Sequence, residues 1–273
     1  MKQLFIISCF LLLTTVSVFS QNVIAEKSFS QSGITAIEVE GRFCRVEVST
    51  HSQNRVDFEG KITGNARPGT YTIYAEQRGS TLKVWIESEG KIRWSNTKSL
   101  LSFKVPATTN VDINNSSGSV QVSGINSELF RLKASSGSIK AQNIKANALV
   151  KTSSGSIKIE NIEGNVEAQS SSGSQTWQGL KGNIQTSASS GAIRLQNVNG
   201  DITAKTSSGS IRSNSCTGKM IMQASSGALS GENIELTDHS SFRTNSGGIR
   251  MQLRNDVDQL SFELSASSGG LSI

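Results

Sequence analysis

The chain has 273 residues, with 27 Lys and Arg against 21 Asp and Glu, for a formal charge of +6. That mild excess permits attraction to anionic envelope polymers but falls short of the concentrated basic patch that nucleic-acid binding requires. Two histidines and three cysteines leave little material for a metal cage or a nucleophile–base pair.

The chain opens MKQLFIISCFLLLTTVSVFSQ, with Lys2 ahead of an apolar run from Leu4 to about Phe19 and small residues at Val18 and Ser20. The run is short for a membrane span, so residues 1–20 read as a secretory signal, with a retained anchor as the alternative. Cys9 lies inside the run rather than after it, which makes it a weak lipidation site. No later stretch reaches the ~20 apolar residues of a transmembrane helix. The mature protein is therefore expected in the periplasm or at the cell surface, with Cys44 and Cys216 and a charge near +5 (6 − 1).

Residues 21–113 carry strand-like runs without a fixed period, among them ITAIEVEG, RVDFEGKI, GTYTIYAEQ, STLKVWIES and SLLSFKVPATTNVDI. They read as irregular first coils and a β cap, since the end of a stacked array needs an atypical unit to cover it. From residue 114 to 273 a ladder takes over. Its glycines are Gly118, Gly137, Gly155, Gly173, Gly191, Gly209, Gly227, Gly247 and Gly269, spaced by 19, 18, 18, 18, 18, 18, 20 and 22 residues. Each follows two small polar residues, most often Ser-Ser.

Numbering each coil from its glycine exposes the packing. Position −7 holds Phe130, Ala148, Val166, Ile184, Ile202 and Met220, and position −5 holds Leu132, Val150, Ala168, Thr186, Ala204 and Met222. Position +2 holds Ile139, Ile157, Ile193, Ile211, Leu229 and Ile249, with Gln175 the exception; +4 includes Ile159, Trp177 and Leu195, and +7 runs Ile144, Ile162, Leu180, Val198, Cys216, Ile234. Apolar and polar residues alternate within each segment, the pattern of strands with one buried face. The phase jumps at Ser-Ser-Gly and at a second small turn such as Lys181-Gly182, where glycine at φ > 0 is expected. The expected fold is all-β: a single-stranded parallel β-helix (β-solenoid) of about 18 residues per coil with irregular β caps, right-handed by the general crossover preference. Nine rungs at the parallel-sheet spacing give a rod of roughly 40 Å. Phe242, Leu260, Phe262 and Leu264 read as its closing cap.

The run FKVPATTNVDINNSSGSVQVSGI and the Ser-Ser-Gly coils after it resemble the bacterial putative-adhesin family of unknown function, with its toastrack-type domain. ITAIEVEGRFCRVEVSTHSQNRVDFEG is similar to that family's opening, and the likeness covers about residues 30–273. The resemblance implies a single-sheet β-helix, an exported or envelope location, and a role in adhesion or envelope signalling. It supplies no catalytic residue.

Read on their own, the residues name few chemical candidates. His51 and His239 have no Cys, Asp or Glu at ligand spacing, so no metal or cofactor is expected. Cys44 and Cys216 sit in inward phase and read as buried thiols rather than a disulfide. The Asn column at +6 (Asn143, Asn161, Asn197, Asn233) and the paired serines read as structural, holding turns. Glu160, Glu163 and Glu167 read as partners of nearby lysines, leaving no catalytic residue.

One outward feature stands out: Lys140, Lys158, Arg194, Arg212 and Arg250 at +3, and Lys133, Lys151, Lys205 and Arg243 at −4. Thr176 and Ser230 interrupt the first column, and Gln169, Ser187 and Gln223 the second. A plain solvated face is one reading, and a shallow track for an anionic glycan or envelope polymer is the other. The function expected is non-enzymatic, adhesin-like binding of such a polymer or of a membrane-associated protein. An envelope-stress sensing or scaffold module and a degenerate carbohydrate-active enzyme are the alternatives.

Overall fold

A computed structural model describes residues 22–89, 97–261 and 263. The signal segment with Cys9, and the last cap residues Phe262 and Leu264 with Gly269, lie outside the described residues.

The chain begins with nine strands: β1 (Val23–Ser32), β2 (Ala36–Arg42), β3 (Arg45–His51), β4 (Arg55–Thr63), β5 (Tyr71–Arg78), β6 (Thr81–Ser88), β7 (Lys98–Pro106), β8 (Asn110–Asn115) and β9 (Val120–Ser123). β10 (Asn126–Ala134) and the long β11 (Ile139–Thr152) follow. Regular coils then supply strands in pairs: β12 (Ile157–Glu163) with β13 (Val166–Ser170), β14 (Gln175–Lys181) with β15 (Ile184–Ala188), and β16 (Ile193–Asn199) with β17 (Ile202–Thr206). β18 (Ile211–Asn214), β19 (Thr217–Gly218), β20 (Met220–Ala224), β21 (Leu229–Leu236), β22 (Ser241–Thr244) and β23 (Ile249–Leu253) complete the stack.

All-parallel pairing stacks the coils into a β-solenoid. Ile139, Ile157, Gln175, Ile193, Ile211, Leu229 and Ile249 are rung neighbours, and so are Ala148, Val166, Ile184, Ile202 and Met220. Apart from Ile249 and Met251 in the last coil, the inward columns read from the sequence are buried, and Trp177 is 0% exposed. Each coil has three sides. The Ser-Ser-Gly corner joins the side ending at −3 to the side beginning at +2. At +6 a residue with positive φ (Asn143, Asn161, Gly179, Asn197, Ser215, Asn233; 53–69°) turns the chain so that +7 points inward again. In four coils a Gly at +9 (Gly164, Gly182, Gly200, Gly218), also at positive φ, then makes the third corner. Asparagine suits +6 because its short amide tolerates the left-handed region. Its side chain also bonds along the stack, Asn161 Nδ2 donating to Asn143 Oδ1 at 3.1 Å.

The Ser-Ser-Gly glycine departs from expectation. None of Gly118 through Gly247 in this series has positive φ. The position is glycine because coils pack backbone to backbone there: a Cβ on each would run into the carbonyl of the corresponding residue one coil earlier. The serines depart too. Their backbone N–H groups bond down the stack, as Ser190 N to Ser171 O at 2.8 Å. The corner's local bonds come instead from the inward residue at −3, where Thr152 Oγ1 and Thr206 Oγ1 accept from the N–H of Gly155 and Gly209 at 3.1 and 3.0 Å.

Spatial order and chain order part company at the start. β2 and β3 form a coil that β8 and β9 cover on one side and β6 and β7 on the other. The chain reaches that outer level through antiparallel strands: β4 pairs with β7, β1 with β4, and β5 with β6. These strands cover the first parallel edges, and the tilted rings of Phe29, Phe58 and Phe103 (centroids 5.2 and 4.8 Å apart) fill the space behind them. At the far end Phe242 packs against the core, while Ile249 is 45% exposed.

Cys44 and Cys216 are free and buried within this core. Burial pushes the Cys44 thiol up to about 12 and raises Cys216 as well. Because the thiolate is the reactive form, native protein of residues 21–273 at pH 8 is expected to take up no thiol reagent, and the same protein unfolded in urea two equivalents per chain. A reaction in the folded state at the unfolded rate would contradict this placement.

Candidate functional site

The two basic columns lie on different sides of the coil. Position −4 forms one unbroken row: Asn114, Lys133, Lys151, Gln169, Ser187, Lys205, Gln223, Arg243. Position +3 forms another across the Ser-Ser-Gly corner: Gln121, Lys140, Lys158, Thr176, Arg194, Arg212, Ser230, Arg250. All nine candidate cations point outward, because strand alternation places −5, −3, +2 and +4 in the core. The structure therefore brings Lys133, Lys151, Lys205 and Arg243 together on one face, and Lys140, Lys158, Arg194, Arg212 and Arg250 on the other.

The first face is concave. A groove of about 630 Å³ runs along its C-terminal half. One wall is the −4 row from Gln169 to Arg243, with Lys205 and Gln223 between. The other wall is the first serine of successive corners, Ser171, Ser189, Ser207 and Ser225, followed by Asn245. Those four hydroxyls have no hydrogen-bond partner among the described residues. The small −3 residues, such as Ala188 and Ala224, make the floor; their size is what lets the groove dip at the corner. No carboxylate lines it among the described residues.

Beneath the floor, one coil breaks the aliphatic column. Gln175 is 0% exposed and bonds at both ends of its amide. Its Nε2 donates to Ser170 Oγ (3.0 Å) and Ser187 O (2.7 Å), and its Oε1 accepts from Thr186 Oγ1 (2.5 Å) and Trp177 Nε1 (3.3 Å). Every hydrogen-bonding site on this buried amide that faces a partner is used, so it stiffens the groove wall at Ser187 and offers nothing to a ligand.

Each face carries one candidate cation with a carboxylate partner. Lys151 pairs with Glu167 at 3.5 Å and Lys158 with Glu160 at 2.7 Å. The other seven candidate cations have no ion pair among the described residues. Glu163 sits between Lys145 (3.1 Å) and Lys181 (3.7 Å), and the Lys145 ammonium holds its carboxyl below the usual range. These exposed pairs contribute little to stability, but they cancel charge locally. Lys205 and Arg243 in the groove stay uncompensated. A second concavity of about 440 Å³ on the other face mixes Lys140 and Lys158 with Glu47 and Glu160, so its charges largely offset one another.

One constellation bears on catalysis. Folding brings His51 within 3.7 Å of Asp57, a proximity absent from the sequence spacing, and Ser30 Oγ donates to that Asp at 2.6 Å. The Ser30 hydrogen bond, with Arg55, keeps the Asp57 carboxyl low. Both His51 nitrogens are occupied, Nδ1 accepting from Gln53 N (2.9 Å) and Nε2 facing Lys104 O (3.0 Å). No nitrogen is left to activate a nucleophile.

Sequence reasoning missed three parts of this face. Gln169, Ser187 and Gln223 looked like interruptions of a basic column and are instead lining residues. The free serine wall looked like turn chemistry. The row also continues beyond Asn114 through Glu40 to Trp85 and Tyr74, whose rings stack at 5.2 Å and 13°. Only the β5–β6 hairpin brings those aromatics into line, so no 18-residue period marks them.

The model of the Toastrack DUF4097 family matches residues 34–214 and, overlapping, 164–273. A putative adhesin of Bacteroides fragilis is similar at 15% identity, over 85% of this chain and 98% of that one, with a TM-score of 0.48. A putative adhesin of Parabacteroides distasonis is similar at 15% identity, over 83% and 96% of the two chains, with a TM-score of 0.44. For a putative cell adhesion protein of Clostridium sporogenes the values are 12%, 84% and 100%, with a TM-score of 0.30. No curated protein matches the chain. The two family matches together run from residue 34, just ahead of β2, to residue 273, and the protein belongs to the Toastrack DUF4097 family.

Proposed function

We propose that this protein is an exported, non-enzymatic binding module that holds an extended anionic glycan or envelope polymer in the groove beside the Ser-Ser-Gly corner. The observation that carries the reading is the lining of that groove: uncompensated Lys205 and Arg243, the amides of Gln169 and Gln223, and a wall of unpartnered serine hydroxyls. Cations attract a polyanion, and amides and hydroxyls bond sugar hydroxyls at short range. A lining without carboxylates suits binding rather than hydrolysis, which calls for a pair of acids across the scissile bond. The signal-like opening of the chain supports an envelope or extracellular setting.

The test titrates the mature protein with hyaluronan, alginate and neutral dextran, following both binding and new reducing ends. Binding of the charged polymers, none of dextran, and no new ends is the expected result. Lys205→Glu combined with Arg243→Glu should weaken polymer binding about tenfold or more, with the melting temperature unchanged. Absence of binding, or cleavage of any of the three, would overturn the proposal.

A further inference from the structure

Taking that reading as its basis, we infer that the groove is matched to a linear glycan carrying one acidic group per disaccharide, its chain running along the solenoid axis. The two free cations of the groove are not on adjacent rungs. Lys205 neighbours Gln223, and Gln223 neighbours Arg243. The two charges therefore stand two rungs apart, about 10 Å at the parallel-strand spacing, with a neutral amide between them. One rung step is close to the advance of one pyranose along an extended glycan. An acidic sugar at Lys205 thus places a neutral sugar at Gln223 and the next acidic sugar at Arg243.

The serine wall keeps the same step, with Ser207 and Ser225 facing Lys205 and Gln223 and Asn245 facing Arg243. It offers a donor and acceptor to every sugar regardless of charge. On the opposite face Arg194 and Arg212 are direct rung neighbours, and Arg250 follows two rungs on, past Ser230. A polymer acidic at every sugar suits the adjacent Arg194 and Arg212, whereas in the groove its middle carboxylate faces Gln223 and goes without an ion pair.

Hyaluronan, which alternates an acidic and a neutral sugar, and alginate, acidic at every sugar, separate the cases. Measured with the mature protein at matched chain length and about 0.15 M salt, where long-range attraction is screened, hyaluronan should bind about fivefold more tightly than alginate. Gln223→Arg fills the neutral rung and should narrow or reverse that preference. Alginate binding tighter than hyaluronan, yet lost in Lys205→Glu, would keep the groove and overturn the alternation alone. A preference unmoved by Gln223→Arg would also overturn the alternation. Failure of both polymers to bind would overturn the groove reading with it.

Discussion

Gly191→Ala is expected to destabilise the protein by about 3 kcal/mol or more, and Gly191→Asn by at least as much. The added Cβ would stand 2.7 Å from the carbonyl carbon of Gly173 and closer still to its oxygen. Neither atom can move aside, because the backbone there is fixed by ladder bonds such as Ser190 N to Ser171 O. The strain is that of overpacking between rungs, and it does not depend on a left-handed φ. Asparagine distinguishes the two causes. Were the corner left-handed, Asn would be among the best replacements; against a backbone carbonyl it is no better than Ala. Gly179 is the control. It sits at +6 with φ +69°, where four other coils already carry Asn, and a Cβ there meets the movable Asn161 side chain at 2.8 Å, with backbone no nearer than 3.6 Å. Gly179→Asn should change stability by less than about 1 kcal/mol, with a tendency to stabilise through the unfolded chain. Urea midpoints of the three variants decide the matter, and a tolerated Gly191→Asn would refute the close-approach account.

Gln175→Ile, which restores the residue type of its column, is expected to cost about 2 kcal/mol rather than to stabilise. Isoleucine would add apolar burial, but it would strip the partners from Thr186 Oγ1 and Trp177 Nε1, both buried. Orphaned buried donors each carry a desolvation cost that outweighs the gain from a few buried methyl groups. Adding Thr186→Val to Gln175→Ile removes one orphan and should recover part of the loss. A double variant no more stable than the single, or a single variant as stable as wild type, would show that the amide cluster is not what holds this coil.

Much of the solenoid is legible in one sequence because the chain is, in effect, aligned with itself. The columns at −7, −5, +2, +4 and +7 repeat in consecutive coils, so inward phase can be read where a single strand would be ambiguous. Gln175 already stands out there as a departure, and Trp177 reads as core. What the residues do not declare is why a glycine is required. Gly173 and Gly179 look alike in sequence, yet one answers to the carbonyl of a neighbouring coil and the other to its own φ. That difference exists only once rungs are stacked. The opening coils escape the same method because β6 and β7 lie beneath β2 and β3 although they follow them in the chain. The groove was half visible: its cations declared themselves by charge, while Gln169, Gln223 and the serine wall became lining residues only when the small −3 positions were seen to lower the floor between them.

On the proposed reading the face carrying the −4 row, and not the face carrying Arg194 and Arg212, holds the polymer. Lys205→Glu with Arg243→Glu and Arg194→Glu with Arg212→Glu change the net charge equally, so they shift long-range attraction alike and differ only in place. Titrated with hyaluronan at about 0.15 M salt, the first pair is expected to lose about tenfold or more in affinity and the second less than about threefold. Equal losses, or a larger loss from Arg194→Glu with Arg212→Glu, would contradict the account.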